Sequence, residues 1–295
     1  MTTTRFSALH DDSGGPLLLP NAWDHASAAA LAGQGFTAIG TTSLGVAAAA
    51  GLPDGAAATR EETLRLARGL GGGAFLLSVD AEGGFSDDPE EVAELARELA
   101  GAGVAGINLE DGRPDGTLTP APVHTAKIAA VKAAVPDLFV NARTDTYWLP
   151  KTSADPEVEP ERDPDPVTET RRRLDAYARA GADGVFVPGL SDPAAISALV
   201  AHLRPSGLPL NILYSPKGPT VPELAALGVR RVSLGSYLFR EALGAAVTAA
   251  LDVRAGGKGA AAWNVAAPTY DEVQRLRLGG TADVRLGGSA DGAEI

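Results

Sequence analysis

The sequence predicts an α/β protein built as a (β/α)8 TIM barrel, and three observations carry that prediction. Short apolar runs recur eight times, stretches with helical spacing separate them, and polar residues gather where the runs end. The runs are PLLLPNAW at 16–23, TAIGTTS at 37–43, AFLLSVDAE at 74–82, AGINLED at 105–111, LFVNARTD at 138–145, GVFVPGL at 184–190, LPLNILY at 208–214 and RRVSLGS at 230–236. Between them, DPEEVAELARELAGAG at 88–103, TETRRRLDAYARAGA at 168–182 and TVPELAALGV at 220–229 repeat apolar residues about every 3.6 positions and end beside glycine, as helices do. Regular alternation of strand and helix requires a parallel sheet, and eight repeats favour closure over an open, doubly wound sheet. No G-x-G-x-x-G follows the first run, which weakens a dinucleotide-binding fold further. The barrel is assigned to 1–255 and a short C-terminal extension to 256–295. Within and around that boundary, RAGGKGAAAWN at 254–264 reads as a linker, APTYDEVQRLRLGG at 267–280 as one short helix, and the rest as a frayed tail.

A chain of 295 residues is long enough for such a barrel as one unit. It has no cysteine, which removes disulfides, thiolate nucleophiles and zinc–thiolate sites and suits a reducing cytoplasm. No apolar stretch approaches about 18 residues, and MTTTRFSALHDDSGG lacks the basic and apolar regions of a signal peptide, so a cytoplasmic protein without a membrane partner is expected. A formal charge of −12 and a pI near 4.8 oppose nucleic-acid binding, which needs clustered Lys and Arg. The same field repels a small anion at long range, so a cation or a focused arginine must reverse it locally. The abundance of Ala and Gly reads as genomic base composition rather than function.

Barrel active sites lie at the C-terminal ends of the strands. Side chains alternate along a strand, so Asp80 and Glu82 are expected on one face, as are Asn108 with Glu110, and Asn141 with Arg143 and Asp145. Three neighbouring strands would then bring several carboxylates and one guanidinium to one mouth. A lone strand-end acid is ordinarily a helix cap; Asp80, Glu82 and Glu110 together with Arg143 form a constellation. Acids held together repel one another, and a divalent cation relieves that. Oxygen ligands and the lack of Cys favour Mg2+ or Mn2+ over Zn2+. Asp111 reads as a turn residue, and Asp145 as a cap or a support for Arg143.

In order along the chain, NAWDHASA, TTSLGVAAAAGLPDG, SVDAEGGFSDDPEEVAE, GINLEDG, NARTD and NILYSPKGPTVPELAALGVRRVSLGS resemble the isocitrate lyase/phosphoenolpyruvate mutase family over most of residues 17–250. The resemblance implies a (β/α)8 barrel that binds Mg2+ and a small α-oxo or α-hydroxy carboxylate, with an enolate-like intermediate. It makes Asp80 the direct metal ligand, beside the substrate, and Glu82, Glu110 and Asp54 acids that hold the metal's waters. Thr42, Ser43 and Leu44 become the turn that contacts the substrate carboxylate, and Arg143 the clamp on its carboxylate or oxo oxygen. Trp23 and Asn211 are placed at strand ends lining the mouth. Arg143, Asp54 and Glu110 are the catalytic candidates. Family members pair by exchanging the last barrel helix, which implies a homodimer or homotetramer through YLFREALGAAVTAALDVRA at 237–255.

The chain also departs from that family. Isocitrate and methylisocitrate lyases carry a KKCGH-like motif after the fourth strand, where this sequence has EDGRPDGTLTPAPVHTAK and no Cys. The Lys and Asn of the phosphonate branches have no clear counterpart either, since RPDGTLTPAP offers only Arg113, Asp115 and two threonines. His124 opens a helix and reads as structural. Chemistry that needs only a metal and an arginine remains: retro-aldol cleavage or decarboxylation of a 2-oxo or 2-hydroxy acid. A P–C bond enzyme is the alternative within enzymes. A non-catalytic barrel binding an α-oxo acid is the rival outside them, although it has no need of four acids. YSPKGPT and SLGSYL follow strands seven and eight, where barrels often bind phosphate, but each has a single glycine. The acidic, proline-rich LPKTSADPEVEPERDPDP at 149–166 is a solvated insertion or a cover over the mouth.

Overall fold

The computed structural model describes residues 4–11, 14–149 and 166–257, with Pro268, Thr269 and Val273. Its first apolar run divides at Pro20, which has no N–H to give to a ladder. On one side β1 (Leu17–Leu19) pairs with β9 (Arg231–Ser233); on the other β2 (Asn21–Ala22) pairs with β3 (Ala38–Thr41). One extended stretch therefore spans the two ends of the sheet. With β4 (Leu76–Asp80), β5 (Val104–Glu110), β6 (Phe139–Arg143), β7 (Gly184–Phe186) and β8 (Leu210–Leu213), the order is β1-β9-β8-β7-β6-β5-β4-β3-β2. Every pairing is parallel. This is the expected (β/α)8-type barrel, nearly closed, in nine segments instead of eight runs.

The helices are α1 (Arg5–Ala8), α2 (His25–Gly33), α3 (Ser43–Ala50), α4 (Arg60–Leu70), α5 (Pro89–Gly101), α6 (Ala121–Ala134), α7 (Pro166–Arg179), α8 (Pro193–Leu203), α9 (Val221–Ala226) and α10 (Tyr237–Arg254). Local chemistry sets their starts. Asp88 and Asp192 accept hydrogen bonds from Glu90 N and Ala195 N with proline in the first turn, and Thr220 and Glu223 cap each other reciprocally. Packing does the rest: Val92, Leu95, Ala96 and Leu99 line one face of α5 and are fully buried, each large side chain contributing about 1.5–3 kcal/mol.

The third run ends sooner than its apolar pattern predicts. β4 stops at Asp80; Glu82 has φ +46° and Phe85 φ +58°, and Gly84 N donates to Ala81 O. The chain has turned, so strand alternation does not carry from Asp80 to Glu82.

The barrel interior is polar towards the mouth and closed at the other end. Asn141 Nδ2 donates to Asn108 Oδ1 at 2.9 Å, and Arg231 Nη2 donates to the same oxygen at 3.2 Å and to Ser78 Oγ at 3.3 Å. Beneath them Phe6 of α1 packs with Leu19, Ala38 and Phe139, while His10 stacks on Phe139. Among the described residues, no helix is long and apolar enough to cross a membrane. The tail, and nearly all of both the helix expected at 267–280 and the insertion at 149–166, lie outside the described residues.

Candidate active site

The strand ends open on a cavity of about 280 Å³. Asp80, the last residue of β4, is fixed by its own N–H, which donates to Thr41 Oγ1 at 2.9 Å. Its Oδ2 accepts a 3.3 Å hydrogen bond from Ser43 N, whereas Oδ1 is buried and has no hydrogen-bond partner. Thr42, Ser43 and Leu44 line the cavity at the start of α3, and Asp54 reaches it from the loop between α3 and α4. Asn108 and Glu110 enter from β5 and Arg143 from β6, with Asp145 just beyond.

Arg143 is fully engaged. Nη1 lies 2.7 Å from Glu110 Oε2, while Nε and Nη2 donate to Asp145 Oδ1 and Oδ2 at 2.6 and 3.0 Å, and the guanidinium carbon sits 5.6 Å from the centre of the Phe186 ring. Asp145 is held in turn by its backbone N–H, which donates to Asp111 Oδ1 at 2.9 Å. The other Asp111 oxygen accepts from Tyr177 OH at 2.5 Å and Arg173 Nη1 at 2.9 Å. Asp111 is thus no simple turn residue. It is completely buried because α7 supplies it with a cation and a hydroxyl.

Four carboxylates, Asp54, Asp80, Glu110 and Asp145, face two guanidiniums, Arg113 and Arg143, among the described lining residues. Burial pushes Glu110 well above the usual carboxylate range; Arg143 opposes this, while Asp145, Asp80 and Glu82 reinforce it. Partial desolvation at the rim, with the charge of Asp80, also raises Asp54. Burial alone would lower Arg143, yet Glu110 and Asp145 more than reverse that and keep it cationic.

Of the residues expected at the mouth, Thr42, Ser43, Leu44, Asp54, Asp80, Glu110 and Arg143 come together. Glu82, Trp23 and Asn211 do not line the cavity. Glu82 is buried and accepts from Ala57 N at 3.1 Å and Thr59 Oγ1 at 2.5 Å, bracing the loop that carries Asp54. Trp23 lies edge-on to Phe239 of α10, and Asn211, inside β8, donates to Ser233 Oγ at 2.8 Å. His124 is buried in α6 against Tyr177, away from the cavity. The structure adds Asn21, Trp148, Phe186 and Leu213, and it brings in Arg113. Most of these sit at or just past strand ends, which was the one signal available for them. The turn after β9 contributes Gly235 and Ser236; Lys217 and its neighbours after β8 do not reach the lining.

The donor set fits a hard divalent cation. A buried carboxylate oxygen without a partner, among acids that raise one another's pKa, is the arrangement a cation would satisfy. Among the described residues no three acids or histidines converge closely enough to cage an ion alone. Asp80, Glu110 and Asp54 are the cavity carboxylates that could hold such an ion, directly or through its waters.

A family model described as phosphoenolpyruvate phosphomutase matches residues 6–254. An uncharacterized protein of Mycobacterium tuberculosis is 43% identical over 251 residues, 85% of this chain and 89% of that protein. The 2-methylisocitrate lyase of Bacillus subtilis is 33% identical over 183 residues, 59% of this chain and 56% of the lyase. A solved structure from Burkholderia cenocepacia J2315 superposes with a TM-score of 0.74 at 38% identity, covering 84% of this chain and 97% of its own.

Proposed function

The chain belongs to the phosphoenolpyruvate phosphomutase family, and from that premise we propose that it is a Mg2+- or Mn2+-dependent carbon–carbon lyase for a small 2-oxo or 2-hydroxy carboxylate. The observation that carries this reading is the pairing, in one cavity, of an unpartnered Asp80 oxygen with the Arg143 guanidinium. When bound, the metal would supply a Lewis acid for the substrate's C1 carboxylate and C2 oxygen. The chain's own groups do the remainder. Ser43 N is taken by Asp80 Oδ2, but the N–H groups that follow it in the first turn of α3, beside Thr42, Ser43 and Leu44, suit a carboxylate. For a 2-oxo acid Arg143 stabilises the negative charge that develops on the C2 oxygen as the C3–C4 bond breaks; for a 2-hydroxy acid it stabilises the C2 alkoxide left when a cavity carboxylate or water takes the hydroxyl proton, before the C2–C3 bond breaks and the C2 oxygen becomes a carbonyl. Asp145 keeps the guanidinium fork in place. The carbon left with the electron pair must then take up a proton. Glu110 and Asp54 line the cavity and burial raises the pKa of each, which favours them as the carboxyls that pass a proton to it.

The cysteine of related lyases is absent from this sequence, so proton return falls to these carboxylates or to water. The reading also includes assembly of identical chains through α10, whose Leu243, Val247 and Leu251 form an exposed apolar stripe. The test is a substrate panel with Mg2+, products identified by NMR: oxaloacetate, substituted malates, isocitrate and phosphonopyruvate. Cleavage of a C–C bond in one of the first three is expected. Turnover of phosphonopyruvate alone would replace this reading with P–C chemistry, and binding without turnover of any would leave a non-catalytic barrel.

A further inference from the structure

We propose that Arg113 is a specificity-determining residue that grips a second, distal carboxylate of the substrate. The inference rests on the reading above for the C1–C2 end of that substrate. Four carboxylates make the mouth hostile to an additional negative charge, so a dicarboxylate needs a cation that is not already committed. Arg143 is committed, since each of its three nitrogens faces a carboxylate oxygen of Glu110 or Asp145. Arg113 is the other guanidinium among the described lining residues.

Three features leave Arg113 able to turn inward. Nε donates to Thr119 Oγ1 at 3.1 Å and Nη2 to Asp87 Oδ2 at 2.6 Å, but its side chain is 33% exposed and that of Asp87 55%, so water screens the pair. Asp87 also has a second, better-buried partner: Lys127 Nζ lies 2.9 Å from its Oδ1 and is itself fixed by Gly83 O at 3.0 Å. If Arg113 swings away, Asp87 stays neutralised and no buried charge is stranded. The backbone need not follow, because Arg113 N donates to Thr117 O, and Gly116 N to Arg113 O, in a tight turn. Arg113 thus rests on Asp87, three residues past Glu110, as a cation in a solvent-screened pair on a fixed turn.

Calorimetric titration in Mg2+ with malate and lactate, which share a C1–C2 unit and differ by the distal carboxylate, tests this. Wild type should prefer malate by about tenfold to a hundredfold, the range for one charge-assisted hydrogen-bonded contact. Arg113→Gln should lose that preference while keeping its lactate affinity, Arg113→Lys should retain part of it, and Asp87→Asn should keep or sharpen it. A preference that survives Arg113→Gln overturns the proposal, as does an equal loss of both ligands, or loss of the preference in Asp87→Asn. If wild type binds neither acid in Mg2+, the functional reading itself fails and takes Arg113 with it.

Discussion

Arg143 and Asp145 meet through two parallel hydrogen bonds, Nε to Oδ1 at 2.6 Å and Nη2 to Oδ2 at 3.0 Å, which leaves Nη1 directed at Glu110. A planar fork held on one edge cannot rotate, so its charge is aimed before any substrate arrives. Preorganisation of that kind lowers a barrier, whereas a mobile charge mainly lends affinity.

Arg143→Lys is therefore expected to reduce kcat by about 10²–10³, because a single ammonium cannot keep Asp145, Glu110 and a developing oxyanion engaged together. Steady-state kinetics on the best panel substrate measures this. Calorimetric Mg2+ titration should change little, since a cationic side chain does not ligate the ion. Wild-type kcat in the variant would remove Arg143 from the mechanism.

Acid stability should report on His124. Burial lowers its pKa from 6.5 to about 4, Asp111 opposing and Lys127 and Arg173 assisting. Between those values the unfolded chain binds a proton that the folded chain refuses, so His124 makes stability fall as pH drops from 6.5 towards 4. Glu110, raised in pKa, acts with the opposite sign, so the informative quantity is a difference between proteins. His124→Phe should flatten the slope of unfolding free energy against pH by about 1.4 kcal/mol per unit in that window. Above neutral pH the two slopes should coincide. Parallel slopes throughout the window would exonerate His124.

Assembly should depend on α10. Leu243, Val247 and Leu251 repeat every fourth residue and are 52%, 58% and 47% exposed, and Phe239 is the one residue of that helix that is buried. Light scattering at micromolar protein should give a dimer or tetramer. Leu243→Asp with Val247→Asp should yield a folded monomer. Monomeric wild type would rule out this use of the helix.

The sequence made some of this visible for identifiable reasons. Asn108 and Glu110 were readable because β5 stays extended through both, so alternation holds. Glu82 defeated the same rule because its backbone leaves the strand at positive φ, a turn that no apolar pattern announces. Asp111 was rightly separated from Glu110, but its burial depends on Arg173 and Tyr177, 62 and 66 residues further on. Trp23 and Asn211 were placed from the family resemblance, which marks strand ends but not whether a side chain turns to Phe239 or Ser233. Arg113 carries no signal in the sequence beyond its place after the fourth run, because its partnership with Asp87 crosses 26 residues.

Metal dependence is the centre of the proposed chemistry, and Asp80 is the residue proposed to ligate the ion directly. The decisive measurement is the initial rate of C–C cleavage against free Mg2+, after EDTA treatment, for wild type and Asp80→Ala in parallel. Wild type should rise from near zero to saturation, and the variant should stay flat at every Mg2+ concentration while unfolding as cooperatively as wild type. Full turnover by wild type in excess EDTA would contradict it.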